Sequence, residues 1–320
     1  MDNDLIAGRQ IAQKIIENVE KVIVGKHSIV QLAVIGLMSK GHLLIEDAPG
    51  VGKTMLARSL AKSVDCSFKR IQFTPDMLPG DITGVSVFNQ KTSDFEFRPG
   101  PILANIILAD EINRATPKVQ SALLECMEEG QISVDGVPHM MPSPFHVLAT
   151  QNPIEYEGTF PLPETQLDRF LIRISIGYPT IADEIAIMER QHLSHPIELL
   201  GPVASNSEML QLESVVKKVF VDELVRQYIA ALVATTRQHA GIRLGASPRA
   251  SLALFRTIQA RALLEGRDYV LPDDVKYMAS HVLAHRLILR SKEQSEDRTG
   301  RSLINDILET VPVPGTVVRR

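Results

Sequence analysis

Residues 42–54 read HLLIEDAPGVGKT. The first five read as a short buried strand around the apolar run Leu43, Leu44 and Ile45. Positions 47–52 then bring a proline and two glycines into six residues, which marks a loop. Lys53 and Thr54 open a helical pattern that runs to about Val64. A strand, a glycine-containing loop and a helix in that order approximate the phosphate-loop pattern G-x-x-x-x-G-K-[ST], with Asp47 where the first glycine is usual. Gly50 and Gly52 let backbone N–H groups turn toward phosphate oxygens, and the helix adds its positive end. Lys53 supplies a point charge for the β- and γ-phosphates, and the Thr54 hydroxyl is a hard oxygen ligand for Mg²⁺. Ala48, Pro49, Val51 and Met55 complete the expected nucleotide-contacting stretch. Asp47 requires either a conformation that aspartate tolerates or an altered turn.

Outward from this loop, strands and helices alternate. Residues 4–40 hold two helices, the first carrying Leu5, Ile11, Ile15, Val19 and Val22 at helical spacing. Residues 68–72 form a second strand. In 84–98, Val85, Val87, Phe95 and Phe97 alternate about a polar turn, which predicts a hairpin. Residues 105–110, NIILAD, suit the middle of a parallel sheet. That strand ends in Asp110 and Glu111, which read either as a solvated turn or as a magnesium ligand and the base that polarises water. Thr116 can cap the next helix, Pro117 suits its first position and Gly130 ends it. A second hairpin spans 131–138, turning at Asp135 and Gly136. Residues 146–150 and 171–176 are further strands. The expected fold is α/β: a doubly wound parallel sheet over 1–190, a linker over 191–206, and a smaller helical domain over 207–320.

Net charge is −4 over 320 residues, Trp is absent and aromatics are 5%, so nothing favours nucleic acid or an anionic membrane. No apolar run approaches the roughly 18–20 residues needed to span a bilayer, and the acidic start MDNDLIAGRQ is not a secretory signal. Cys66 and Cys126 form no metal or disulfide pattern, so reduced thiols in a cytoplasmic protein are expected. His281 and His285 lie four apart without the glutamate and third ligand a zinc site needs. Met140 and Met141 read as core or pore packing, and the tail 318–320 as a disordered end.

The segments EDAPGVGKT (46–54), FTPDMLPGDITG (73–84), ADEINRATPKVQSALLECMEE (109–129), ATQNP (149–153), LPETQLDRF (162–170), GASPRA (245–250) and RDYVLPDDV (267–275) together resemble the AAA+ ATPases, and within them the MoxR family. The resemblance covers about 22–282. It implies that Asn152 is a sensor orienting water against the γ-phosphate, and that Arg169 is an arginine finger acting on a neighbouring subunit. It further implies that Arg249 is a second sensor, in cis or in trans, and that Val24 and Gly25 lie beside the adenine. Without the resemblance, Arg169 reads as a surface ion pair, Arg249 as an ordinary helix residue and Asn152 as a turn residue. The 84–98 hairpin resembles the helix-2 insert shared with magnesium chelatase ATPase subunits. The family implies ATP and Mg²⁺ as cofactors, a homo-oligomeric ring, expected as a hexamer, and a protein client. That client would be a von Willebrand factor A domain protein, activated by chaperone-like remodelling or metal or cofactor insertion. A nucleotide-switched scaffold and a chelatase-like subunit are the alternatives.

Overall fold

Apolar strands alternating with amphipathic helices build the first part of the chain. The computed structural model describes residues 2–152, 159–192, 195–290 and 299–314; Pro153, residues 193–194 and the tail 318–320 lie outside these. Helices α1 (Asn3–Glu20) and α2 (His27–Met38) precede β1 (Leu43–Glu46), and α3 (Lys53–Ser63) follows the glycine loop. Next come β2 (Phe68–Gln72), the short α4 (Pro79–Thr83), and the hairpin of β3 (Gly84–Asn89) with β4 (Asp94–Pro99). Then β5 (Ile106–Asp110), α5 (Pro117–Glu129), the hairpin β6 (Gln131–Val134) and β7 (Val137–Met140), and β8 (His146–Gln151) follow. After α6 (Glu164–Leu167) and β9 (Ile172–Ile174) come α7 (Ile181–Gln191) and α8 (Pro196–Leu199).

Five strands form one sheet in the order β2-β5-β8-β1-β9, and the pairs β2–β5, β5–β8 and β1–β8 are parallel. All five residues of β5 are buried, as are Leu43, Leu44 and Ile45 of β1. Each such Leu or Ile contributes roughly 1.5–3 kcal/mol when fully buried. The second hairpin turns through Asp135 and Gly136, both at positive φ (51° and 79°), the type I′ geometry that matches strand twist. Gly130 ends α5 in the left-handed conformation, but the Thr116 side chain makes no capping hydrogen bond, contrary to the sequence expectation. Pro117 at the first helical position and the Thr116 carbonyl, which accepts from Val119 and Gln120 N–H, set that start.

The chain resolves into two compact units: Lys14–Leu162 with Ile174–Leu210, and Met1–Gln13 with Pro163–Arg173 and Gln211–Arg320. The units are therefore not consecutive blocks divided at 191–206. The later part of that stretch is tied down within its own unit: Val203 and Ala204 N–H donate to Ser63 O, and Asn18 Nδ2 to Gly201 O. Ile197, Leu200 and Ala204 are buried. The other unit carries α9 (Asn206–Val216, in its later part), α10 (Glu223–Gln238), β10 (Ile242–Leu244) and α11 (Pro248–Leu264). It ends with α12 (Pro272–Leu283), β11 (Ile288–Leu289) and α13 (Gly300–Thr310). It is not helical throughout, because β10 and β11 pair antiparallel. Met141 is buried and Met140 is exposed, so only the first of these packs in the core.

His42 locks the start of β1 against its neighbours. Its Nδ1 accepts from Val147 N–H at 2.9 Å, which leaves Nε2–H to donate to Met127 O at 3.1 Å. Burial first, with nearby His146 adding, pushes its pKa down to about 3, against the Met127 carbonyl. Below pH of about 6.5 the unfolded chain takes up this proton while the native imidazole stays neutral until about pH 3, so stability falls through that window. His42→Gln should be less stable at pH 7 but flatter with pH. The wild type should lose up to about 1.4 kcal/mol more per pH unit than the variant between pH 6 and 4, read from urea midpoints. Parallel slopes would remove His42 from this role.

Candidate functional site

Parallel pairing places the carboxyl ends of β2, β5, β8 and β1 on one edge. The register sets Gln72 beside Asp110, Ala109 beside Ala149 and Glu46 beside Gln151. A cleft of about 320 Å³ opens at this edge, lined by Gly50, Gly52, Lys53, Asp110, Glu111 and Asn152 with Pro49, Thr54, Met55 and Arg70. Most residues expected at the site from sequence thus share one cleft, although they are spread along the chain from Pro49 to Asn152.

Gly50 and Gly52 have φ of 83° and 95°, a region costly for any other residue here, and a Cβ at either would meet nothing within 4 Å. The loop therefore leaves open space beside its backbone, as a polyphosphate requires. Lys53 Nζ donates to Asp47 O at 2.9 Å. Asp47 itself lies outside the left-handed region, so no glycine is needed there. Its carboxylate fastens the loop: Oδ1 accepts from Ala48 N–H at 2.9 Å, and Oδ2 from Gly177 N–H at 2.6 Å and Ser175 Oγ at 3.1 Å. The sequence left this residue open; the reason lies 130 positions away.

Asp110, buried at the tip of β5, accepts at Oδ1 from Thr150 Oγ1 (2.6 Å) and at Oδ2 from Arg70 Nε (3.0 Å) and Nη2 (2.7 Å). Glu111 follows in a left-handed conformation (φ 56°), its N–H donating to Thr150 Oγ1. Its Oε2 accepts from Gln72 Nε2 at 2.9 Å and Arg114 Nη1 at 3.1 Å. Arg70, Gln72, Arg114 and Thr150 were not legible as site residues. Arg70 and Gln72 share a strand face at i and i+2, but only the pairing of β2 with β5 aims that face at the acids. Asn152 is buried just beyond β8, and its carbonyl accepts from Asn113 Nδ2. Gly25, at φ 70°, approaches Asp183 so closely that a Cβ would lie 2.2 Å from its carboxyl carbon; Val24 precedes it, half-buried.

The family model of the ATPases associated with various cellular activities matches residues 42–172, and the AAA lid model matches 234–307. Chaperone MoxR1 of Mycobacterium tuberculosis is 42% identical over 94% of this chain and 82% of its own. The chain belongs to the MoxR family of AAA+ ATPases. The Bacillus subtilis protein YeaC is 52% identical over 94% of both chains. The crystal structure of a Cytophaga hutchinsonii protein classed as an ATPase superposes with a TM-score of 0.91, at 39% identity and 97% coverage of each chain.

Two of the residues singled out in this MoxR-family chain belong to the other unit. Arg169 follows α6, its N–H donating to Gln166 O; Arg249 is exposed in the first turn of α11. Asp168 joins their segments: its Oδ2 accepts from Ser247 Oγ at 2.9 Å and its Oδ1 from Arg286 Nε at 2.7 Å.

Asp47→Ala should lower stability by roughly 1–3 kcal/mol, because Gly177 N–H and Ala48 N–H lose their acceptor. Asp47→Gly, though it completes the usual motif, should be lower by a further 0.5–1 kcal/mol or so. Urea unfolding of both variants checks this; a glycine variant as stable as the wild type would show that the clamp contributes nothing.

Proposed function

We propose that this chain binds ATP with Mg²⁺ in the cleft at Lys53 and hydrolyses it, with turnover driving chaperone-like remodelling of a protein client. The observation that carries this is the convergence of Lys53, Thr54, Asp110, Glu111 and Asn152 on one cleft. The backbone of 47–55 would cradle the phosphates, and Lys53 would leave the Asp47 carbonyl for a phosphate oxygen. The Thr54 hydroxyl and Asp110 carboxylate would hold Mg²⁺, which when bound neutralises charge on the β- and γ-phosphates. Glu111 takes a proton from water as the water oxygen attacks the γ-phosphorus, and the bond to the β-phosphate oxygen breaks with its electron pair leaving on ADP. Asn152 orients that water. Val24 and Gly25 border the adenine.

In this reading Arg169 acts as a finger on a neighbouring copy, which requires a ring, and six copies are proposed. Arg249 serves as the second sensor. The client-facing elements are the two hairpins. They are joined by the stacked rings of Phe97 and His139, 3.9 Å apart, and they expose Phe88, Phe95, Val137 and Met140. Exposed apolar groups in such a patch suit contact with protein rather than with nucleic acid. A von Willebrand factor A domain protein is the proposed client, in the cytoplasm; no helix among the described residues is long and apolar enough to cross a membrane.

Glu111→Gln should keep ATP binding and lose roughly 10²–10⁴-fold in turnover, the usual contribution of a positioned base. Normal phosphate release would refute the role of Glu111, and binding without turnover in the wild type would favour a nucleotide-switched scaffold. Arg169→Ala should lose roughly 10³–10⁵-fold with binding intact. Mixed with Glu111→Gln subunits it should regain part of the activity, because some interfaces then pair an intact base with an intact finger. No recovery in co-assembled rings would exclude the finger in trans.

A further inference from the structure

Arg70 sits on the carboxylate assigned above to the metal. Its Nε and Nη2 both donate to Asp110 Oδ2, while Thr150 holds Oδ1. A guanidinium and a divalent cation on one carboxylate repel each other, and each lowers the affinity of the other. The two partners differ in freedom. The Asp110 side chain is 11% exposed and fixed by its strand and Thr150; the Arg70 side chain is 49% exposed and lines the cleft. Arg70 is the one that can yield. Nη2 also donates to Gln72 Oε1 at 2.8 Å, a neutral acceptor on the same strand face that it can keep on leaving Asp110.

We infer that Arg70 is a positioning residue that competes with Mg²⁺ for Asp110, and so sets the metal concentration at which the site holds its nucleotide. This rests on the nucleotide reading of the cleft. Arg70 supplies the positive charge at Asp110 when the metal does not, which keeps a buried carboxylate paired. Metal binding then displaces the guanidinium rather than meeting a bare acid.

The test uses the full chain and its variants Arg70→Ala, Arg70→Gln and Arg70→Lys, each with one equivalent of a non-hydrolysable ATP analogue. Mn²⁺ is the probe, its free signal counted by electron paramagnetic resonance. The half-saturating Mn²⁺ should fall roughly tenfold in the Ala and Gln variants, the scale of one removed charge beside a carboxylate, and stay near the wild-type value in Lys. A merely structural contact would not tighten metal binding. An unchanged or raised half-saturating Mn²⁺ in folded Ala or Gln variants overturns the inference. If Arg70→Ala does not fold, Arg70→Gln, which keeps a polar side chain beside Gln72, decides alone. A fluorescent ATP analogue that fails to bind the wild type, with metal or in chelator, would instead remove the nucleotide reading itself.

Discussion

Parallel hydrogen bonding among β2, β5, β8 and β1 obliges four strands to end on the same edge of one sheet. Every group in the cleft inherits its place from that constraint. Asp110 is one residue past the Ala109–Ala149 pair, so it lies beside Thr150, whose hydroxyl it accepts. Gln72 is paired with Asp110, so Arg70 and Gln72 face the acids while Lys69 and Ile71 take the opposite side. A slip of one residue would exchange these faces and leave Asp110 without its guanidinium. Ile71, the buried residue of β2, makes such a slip costly, since it would turn that side chain to the exposed face. Hydrophobic burial thus fixes the chemistry at the strand ends, although none of the buried apolar side chains takes part in it.

The same logic separates the loop positions that need glycine from the one that does not. Gly50 and Gly52 are left-handed and open to the cleft, where a side chain would be strained and would fill the cradle. Asp47 precedes the tight part of the loop and uses its side chain for what a glycine cannot do, holding Gly177 and Ser175. Glu111 shows the reverse case. It is a bulky residue at φ 56°, at a cost of order 1–3 kcal/mol, and it stays there because its N–H is held by Thr150 and the turn Ile112–Arg114 follows at once. Strain at this residue is stored where the side chain must project from the sheet edge.

The parts legible in sequence were those coded by local pattern. The glycine loop, the apolar run before Asp110 and the Asp135–Gly136 turn each carry their instruction within a few residues, and the strands and hairpins they imply are present. What sequence did not reveal depended on pairing between distant segments. Arg70 looks like any charged residue on an exposed edge-strand face until β5 is laid beside it. Residues 191–206 have the proline and glycine content of a linker, yet Ser63 and Asn18 supply hydrogen bonds that bind part of them to their unit. The β10–β11 pair was hidden because each strand is too short for a period-2 signal. The side-chain cap expected of Thr116 is not made: the N–H of Val119 donates to the Thr116 carbonyl instead.

The unit that holds Arg169 carries its own answer to a buried charge. Arg286 has a side chain only 2% exposed, and burial lowers its pKa to about 10 even with Asp168 opposing. A guanidinium withdrawn this far from water persists only if its donors are met. They are: Nε by Asp168, Nη1 by the carbonyls of Leu171 and Val282, and Nη2 by those of Asp168 and Phe170. Three of these acceptors flank Arg169 on both sides, and the remaining Asp168 oxygen takes the Ser247 hydroxyl at the start of α11. The backbone of Arg169 is therefore set by a buried cation three residues past the end of α12, and the same carboxylate fixes the helix that presents Arg249. Two arginines that look independent in sequence share one anchor, so a substitution at Asp168 would disturb both while touching neither.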